Sequence, residues 1–176
     1  MKQNLFLNNQ NRDKTINNSN QAGKFIVFNI ADYFLAVPIS VVLKVVNYPH
    51  INNNSNTTKK TTELVQIGSH TIALLDLHQK LPSNDTPDVN IHTPFLLIAQ
   101  LYQGLCAIPL ESPPNLVELS RDSIQALPNS FAHNDLLKAV SYGAVISDQE
   151  NTFTIFILDI NQAWYADRNT NLIDNS

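Results

Sequence analysis

Two stretches of this chain carry the same pattern. Thr71-Ile72-Ala73-Leu74-Leu75-Asp76-Leu77-His78-Gln79-Lys80-Leu81 reads as a buried strand that ends on an acid and turns into a short helical segment. Thr154-Ile155-Phe156-Ile157-Leu158-Asp159-Ile160-Asn161-Gln162-Ala163-Trp164 repeats it, with Thr, Ile, Leu, Asp and Gln at identical offsets. A match of that length at fixed spacing says that the protein is built twice. The repeat extends upstream. An apolar run at 24–30, a polar break at Ala31-Asp32 and the run Tyr33-Phe34-Leu35-Ala36-Val37-Pro38 are echoed by Phe95-Leu96-Leu97-Ile98-Ala99, a break at Gln103-Gly104 and Leu105-Cys106-Ala107-Ile108-Pro109. Pro38 and Pro109 hold matching places. Proline cannot donate to a ladder, so at a strand end it lets the chain leave the sheet.

A doubled plan in 176 residues means two small fused subdomains, and 43% apolar content is enough to give them a core. The short runs are β-branched and aromatic and are bounded by polar breaks, so they read as strands. Strands are expected at 25–30, 33–37, 39–46 (where Ser40 offers a cap for one short turn first, as the alternative), 64–67, 70–75, 95–99, 105–110, 116–119, 137–146 and 152–158, with a short helix from Ile160 to Asp167. Ser120 has the chemistry to cap a single turn. Such a chain is mainly all-β, and two small closed barrels would leave no sheet edge open to aggregation. The Asn/Gln-rich residues 1–22 are too poor in apolar side chains to order themselves. Residues 47–62 form a long polar loop, 83–93 a polar connector and 167–176 a frayed end. The folded region is then 23–166, with subdomain A at about 24–82 plus a C-terminal segment and subdomain B at about 94–158.

Chemistry is sparse. The four glycines, Gly23, Gly68, Gly104 and Gly143, are far apart, which excludes a P-loop, a dinucleotide-binding fingerprint and a nucleophile elbow. No histidine belongs to a metalloprotease motif or pairs with the lone Cys106, so no metal and no cofactor are expected; His70 and His78 flank one strand without a third ligand. Cys106 sits in a core strand, where cysteine is an inert filler. Asp76 and Asp159 invite comparison with paired catalytic carboxylates. Their matching places after a strand point instead to capping of backbone N–H groups. The net charge of −4 and pI near 5.6 argue against nucleic acid as a partner. A single cysteine, no secretory signal and no apolar run long enough to span a bilayer make a cytoplasmic location the default. The chain reads as a non-enzyme.

The doubled barrel with strands ending in Leu-Asp-(Leu/Ile) resembles the CheW-like family, the chemotaxis coupling proteins whose domain also forms the regulatory end of CheA-type histidine kinases. Phe25-Ile26-Val27-Phe28, Leu35-Ala36-Val37-Pro38, Ile72-Ala73-Leu74-Leu75-Asp76-Leu77, Leu105-Cys106-Ala107-Ile108-Pro109 and Ile155-Phe156-Ile157-Leu158-Asp159 carry the resemblance over residues 24–166. It implies two fused SH3-like five-stranded barrels flanking an apolar groove. It also implies a non-catalytic adaptor between a methyl-accepting chemoreceptor and the regulatory domain of a CheA-type histidine kinase, serving chemotaxis, phototaxis or twitching motility. By position, the interaction surface is expected at Val41, Val42, Lys44 and Val45 with Ile67, Gly68 and Ser69, some of the valines being core. The chain departs from the family at two charged places. Gln66-Ile67-Gly68-Ser69 stands where the family has Asn-Leu-Arg-Gly, and Lys44 where it often has an acid. An interaction module that has lost receptor coupling is one alternative. A small-ligand barrel is another, although Phe28, Phe95, Phe153 and Phe156 are large enough to fill the barrels. Oligonucleotide binding is opposed by the acidic charge.

Overall fold

The computed structural model describes residues 22–48, 64–78, 81, 93–128, 131, 137–148 and 151–173. The expected disordered tail, most of the polar loop and most of the connector lie outside the described residues. Strands β1 (Gly23–Ile30) and β2 (Tyr33–Pro38) form a hairpin, a single 3-10 turn follows at Ile39–Val41, and β3 is Val42–Asn47. β4 (Leu64–Ile67) and β5 (His70–Leu74) form the next hairpin, β6 (Phe95–Leu101) and β7 (Gly104–Leu110) the third. β8 (Asn115–Leu119), a 3-10 turn at Arg121–Ser123 and β9 (Ile124–Ala126) lead to a turn at Leu137–Ala139. β10 (Val140–Asp148), β11 (Asn151–Leu158) and helix α1 (Ile160–Ile173) complete the order.

Local chemistry accounts for most of these boundaries. Ser120 caps its turn, its Oγ accepting from the Ser123 N–H at 3.3 Å. Before β3 the turn exists, but Pro38 rather than Ser40 holds the cap position and no side chain caps it. The anticipated strand at 137–146 starts only at Val140, because Leu137 and Ala139 are buried in a 3-10 turn. β9, at three residues, is too short for an alternating pattern and was not anticipated. α1 runs past Asp167, since neither Gly nor Pro interrupts 160–173.

Among the described residues eleven strands build two curled sheets, half-barrels with strand orders β8-β1-β2-β11-β10-β9 and β3-β6-β7-β5-β4. These sheets do not follow the two sequence halves. The first sheet takes only the β1–β2 hairpin from the first half, and the second takes only β6–β7 from the second half. Each half lends its hairpin to the other. The exchange is closely pseudo-symmetric. β11 lies parallel to β2 with Ile157 opposite Ala36, and β5 lies parallel to β7 with Leu74 opposite Ala107. Ala36 and Ala107 are equivalent in the repeat, as are Ile157 and Leu74. Pro38 and Pro109 then fall two residues past the last paired position of β2 and β7, where the parallel neighbour has ended and a missing N–H leaves no gap in that ladder.

Four strands are buried on both faces, which is why their sequences lack polar alternation. Phe28, Ile30, Leu35 and Val37 face Leu97, Ala99, Cys106 and Ile108 in a central core between the sheets. The alternate residues line the two curled interiors: Phe25, Val27 and Ala36 in the first sheet, Leu96, Ile98 and Ala107 in the second. Three of the four large aromatics expected to fill the half-barrels lie at the central core instead. Phe28 is in the central core and Phe95 and Phe156 pack against it, because each sits on the outward-curving face of its strand. Phe153 meets Phe34, ring centroids 5.6 Å apart, and Phe34 packs into the first curled interior. Among the described residues no polar or charged side chain is buried.

Candidate interaction surface

The sheets are open ladders, so each has two edge strands. Large exposed aliphatic side chains stand on three of those edges, Leu43 and Val45 on β3, Leu64 on β4 and Leu116 on β8, while Tyr142 and Val145 are exposed on the inner strand β10. β3 is one edge of the second sheet. Its pairing with β6 slips between Val42 and Lys44, a bulge that inserts Leu43. The consequence is a break in alternation. Val41 and Val42 both pack against the central core, Val46 packs into the half-barrel interior, and Leu43 (54% exposed) and Val45 (39%) face solvent. Ile39, in the preceding turn, is also exposed. Lys44 lies exposed among these apolar groups.

The other expected members belong to β4 and its turn. Ile67 is half-buried against the interior cluster that also takes Val46 and Tyr48. Gly68 and Ser69 are exposed at the tip of the β4–β5 hairpin. Gly68 has φ +61, which its lack of a Cβ makes inexpensive. The Gln66 side-chain amide donates to the Gly68 carbonyl at 3.0 Å, and the Thr71 hydroxyl donates to Gln66 Oε1 at 2.8 Å. The tip is thus a pinned polar turn. β3 and β4 are the opposite edges of one sheet, four ladder steps or roughly 19 Å apart along the hydrogen-bonding direction. Curling brings both edges onto one interior cluster. The expected site residues therefore fall into two groups on one half-barrel, an apolar strip on β3 and a polar tip after β4.

Position reasoning missed Ile39, Leu43 and Leu116. Leu43 was hidden by the bulge, which no pattern in Val41-Val42-Leu43-Lys44-Val45 announces. Leu116 had a signal in the repeat. Val45 pairs with Leu97 of β6, and Leu116 pairs with Ile26 of β1. Because the hairpins align Phe25 with Leu96 through their partners Pro38 and Pro109, Val45 and Leu116 are equivalent positions. Leu116 is 57% exposed. Both edge strands beside the central core thus present an apolar side chain outward at the same place. Lys24 and Glu118, opposite one another on β1 and β8, form a surface ion pair at 3.6 Å beside Leu116.

The remaining candidates have structural duties. Asp159 Oδ1 accepts from the N–H groups of Asn161 (3.0 Å) and Gln162 (3.1 Å) and caps α1. Asp76 Oδ1 accepts from the His78 N–H at 3.0 Å. Burial pushes the Cys106 thiol up to about 12, so no thiolate is available near neutrality. His70 is exposed and meets Ser69, whereas His78 turns away toward Asp76 and Glu111. Among the described residues no group of three or more His, Cys, Asp or Glu is arranged to hold a metal ion. No helix among them is long and apolar enough to cross a membrane.

Comparison with known proteins agrees with this architecture. A family model described as CheW-like domain matches residues 24–166. Among solved structures, the scaffolding protein TtCheW from Thermoanaerobacter tengcongensis superposes with a TM-score of 0.61 at 17% identity, covering 81% of this chain and 92% of that one. At that identity the likeness speaks for the fold. No curated protein matches by sequence.

Proposed function

The chain belongs to the CheW-like domain family, and from that premise we propose that it is a non-catalytic coupling scaffold. In this reading it joins a methyl-accepting chemoreceptor to the regulatory domain of a CheA-type histidine kinase in a cytoplasmic signalling array for chemotaxis, phototaxis or twitching motility. The observation that carries the proposal is the apolar strip of Ile39, Leu43 and Val45 on an edge strand. An edge offers unpaired backbone groups as well as side chains, which suits barrel-to-barrel docking. Val41 and Val42 support the strip from beneath, and Ile67, Gly68 and Ser69 form the second contact group on the same half-barrel. Interfaces of this modest kind bind in the micromolar range.

Titration calorimetry against the regulatory domains of CheA-type kinases from the same genome tests this. Binding is expected and should be lost in Leu43→Glu and Val45→Glu, both surface changes that leave the core intact. No binding to any such kinase by a folded sample would overturn it. A second reading has an observation of its own. Lys44 and Gly68, which replace an acid and an arginine of the family pattern, are both exposed, so the charge presented there is altered. In this reading kinase docking persists and receptor coupling is lost, and titration with receptor hairpin tips separates the two.

A further inference from the structure

Where β5 leaves its sheet, the chain folds back on Asp76, whose Oδ1 accepts from the His78 backbone and also lies 3.4 Å from His78 Nδ1. The other ring nitrogen, Nε2, lies 2.8 Å from Glu111 Oε1. Glu111 is the first residue after β7, at the start of the 111–114 link that carries the chain from the second sheet to edge strand β8 of the first. The His78 side chain is only 9% exposed, while the carboxylates of Asp76 and Glu111 stay open to solvent.

Ionised carboxylates only accept hydrogen bonds. A neutral imidazole carries one N–H and would turn its bare nitrogen lone pair toward the second carboxylate. Only the imidazolium satisfies both. Asp76, on the ring's own segment, and Glu111, on the segment packed against it, are the charged groups that face the ring among the described residues. The hydrogen bond with Asp76 and then that with Glu111 hold His78 above its ordinary 6.5, against the opposing effect of burial.

The repeat supplies an internal comparison. Asn161 occupies the position of His78 in the second half. It makes the same backbone bond to its aspartate at 3.0 Å, and its side-chain oxygen accepts from the Tyr102 N–H at 2.9 Å, tying the post-strand turn to the β6–β7 turn. Both halves thus tether the segment after the Leu-Asp strand to a distant loop. One tether is an amide that never titrates, and the other is an imidazole between two acids.

We propose that Asp76, His78 and Glu111 form a pH-responsive clasp, closed on both carboxylates when the ring is protonated and holding only one when it is not. The sign follows from linkage. A group whose folded-state affinity for protons is raised stabilises fully below its unfolded value and loses that contribution as pH climbs through its folded one. The clasp therefore binds the β7–β8 link from acidic pH up to the ring's titration and slackens above it.

Histidine ring NMR on the full chain tests this. His78 should titrate with a midpoint above 6.5, and Glu111→Gln should lower that midpoint. His78→Asn, which copies the second half, should cost most stability at acidic pH and progressively less as pH rises. A His78 midpoint at or below 6.5, a midpoint unmoved by Glu111→Gln, or a stability loss in His78→Asn that does not vary with pH would each overturn the clasp. If His78→Asn does not fold, the two ring titrations still decide.

Discussion

Exchange of hairpins between the halves makes a strong prediction: neither half can fold alone. Cutting the chain in its polar connector, into 1–87 and 88–176, leaves the first half with β1–β2 and β4–β5. β3 loses its partner β6, and β5 loses β7. Phe28, Ile30, Leu35, Val37, Leu75 and Leu77 lose the opposing wall of the central core, made largely of Leu97, Ala99, Cys106 and Ile108. Burying such a side chain is worth about 1.5–3 kcal/mol, so baring these six forfeits roughly 9–18 kcal/mol as an upper bound. A whole domain is stable by only about 5–15 kcal/mol. The ordering entropy of the half's own residues is meanwhile undiminished. Each half purified separately should therefore lack a cooperative unfolding transition and show a narrow amide NMR spectrum. Mixing them should restore the dispersed spectrum of the intact protein at one-to-one stoichiometry. A cooperative transition and a dispersed spectrum from either half alone would refute the reasoning.

Other consequences are smaller and local. Leu97→Ala, at a fully buried position of the central core, should cost about 2–5 kcal/mol in urea denaturation, whereas Leu116→Ala on the exposed edge should stay within about 0.5 kcal/mol; equal effects would contradict the burial assigned to them. Gly104 has φ +136 and Gly68 φ +61, each with open space where a Cβ would go, so alanine there is penalised through the backbone alone. The expected loss is about 1–3 kcal/mol at Gly104 and about 1 kcal/mol at Gly68, and denaturation of the two variants checks the order. Cys106, its thiol pushed up to about 12 by burial, should resist thiol reagents in the native protein and react once it is unfolded. Rapid labelling of the native protein at neutral pH would mean that β7 opens readily.

The candidate interaction surface was less legible in the sequence than the fold, for physical reasons that differ by residue. Gly68 and Ser69 could be placed at a hairpin tip, because a polar pair between two short apolar runs has few other uses. Val41 and Val42 could not be distinguished from Val45, since strict alternation would put Val41 and Val45 on one side. A bulge beside Val42, formed against β6 from the other half, reverses that. His78 is a further case. Read alone it is a surface histidine after a strand, and its partner Glu111 is 33 positions away, beyond any local pattern.

Read along the chain, the repeat already dictates two equivalent units. Runs such as Phe95–Ala99, apolar at every position, already require strands covered on both faces, and matching prolines and Leu-Asp endings already mark where strands stop. Which unit completes which sheet was settled only in three dimensions. Because the halves are alike, β5 presents nearly the same apolar strand to the hairpin of its own half as to that of the other, and β11 does likewise. Short-range preferences cannot break that tie. It is broken by the connections. The turn at Ile39–Val41 carries the chain from β2 straight into the facing sheet beside β6, and the 111–114 link carries it from β7 into the first sheet beside β1. Links this short leave each hairpin among the other half's remaining strands.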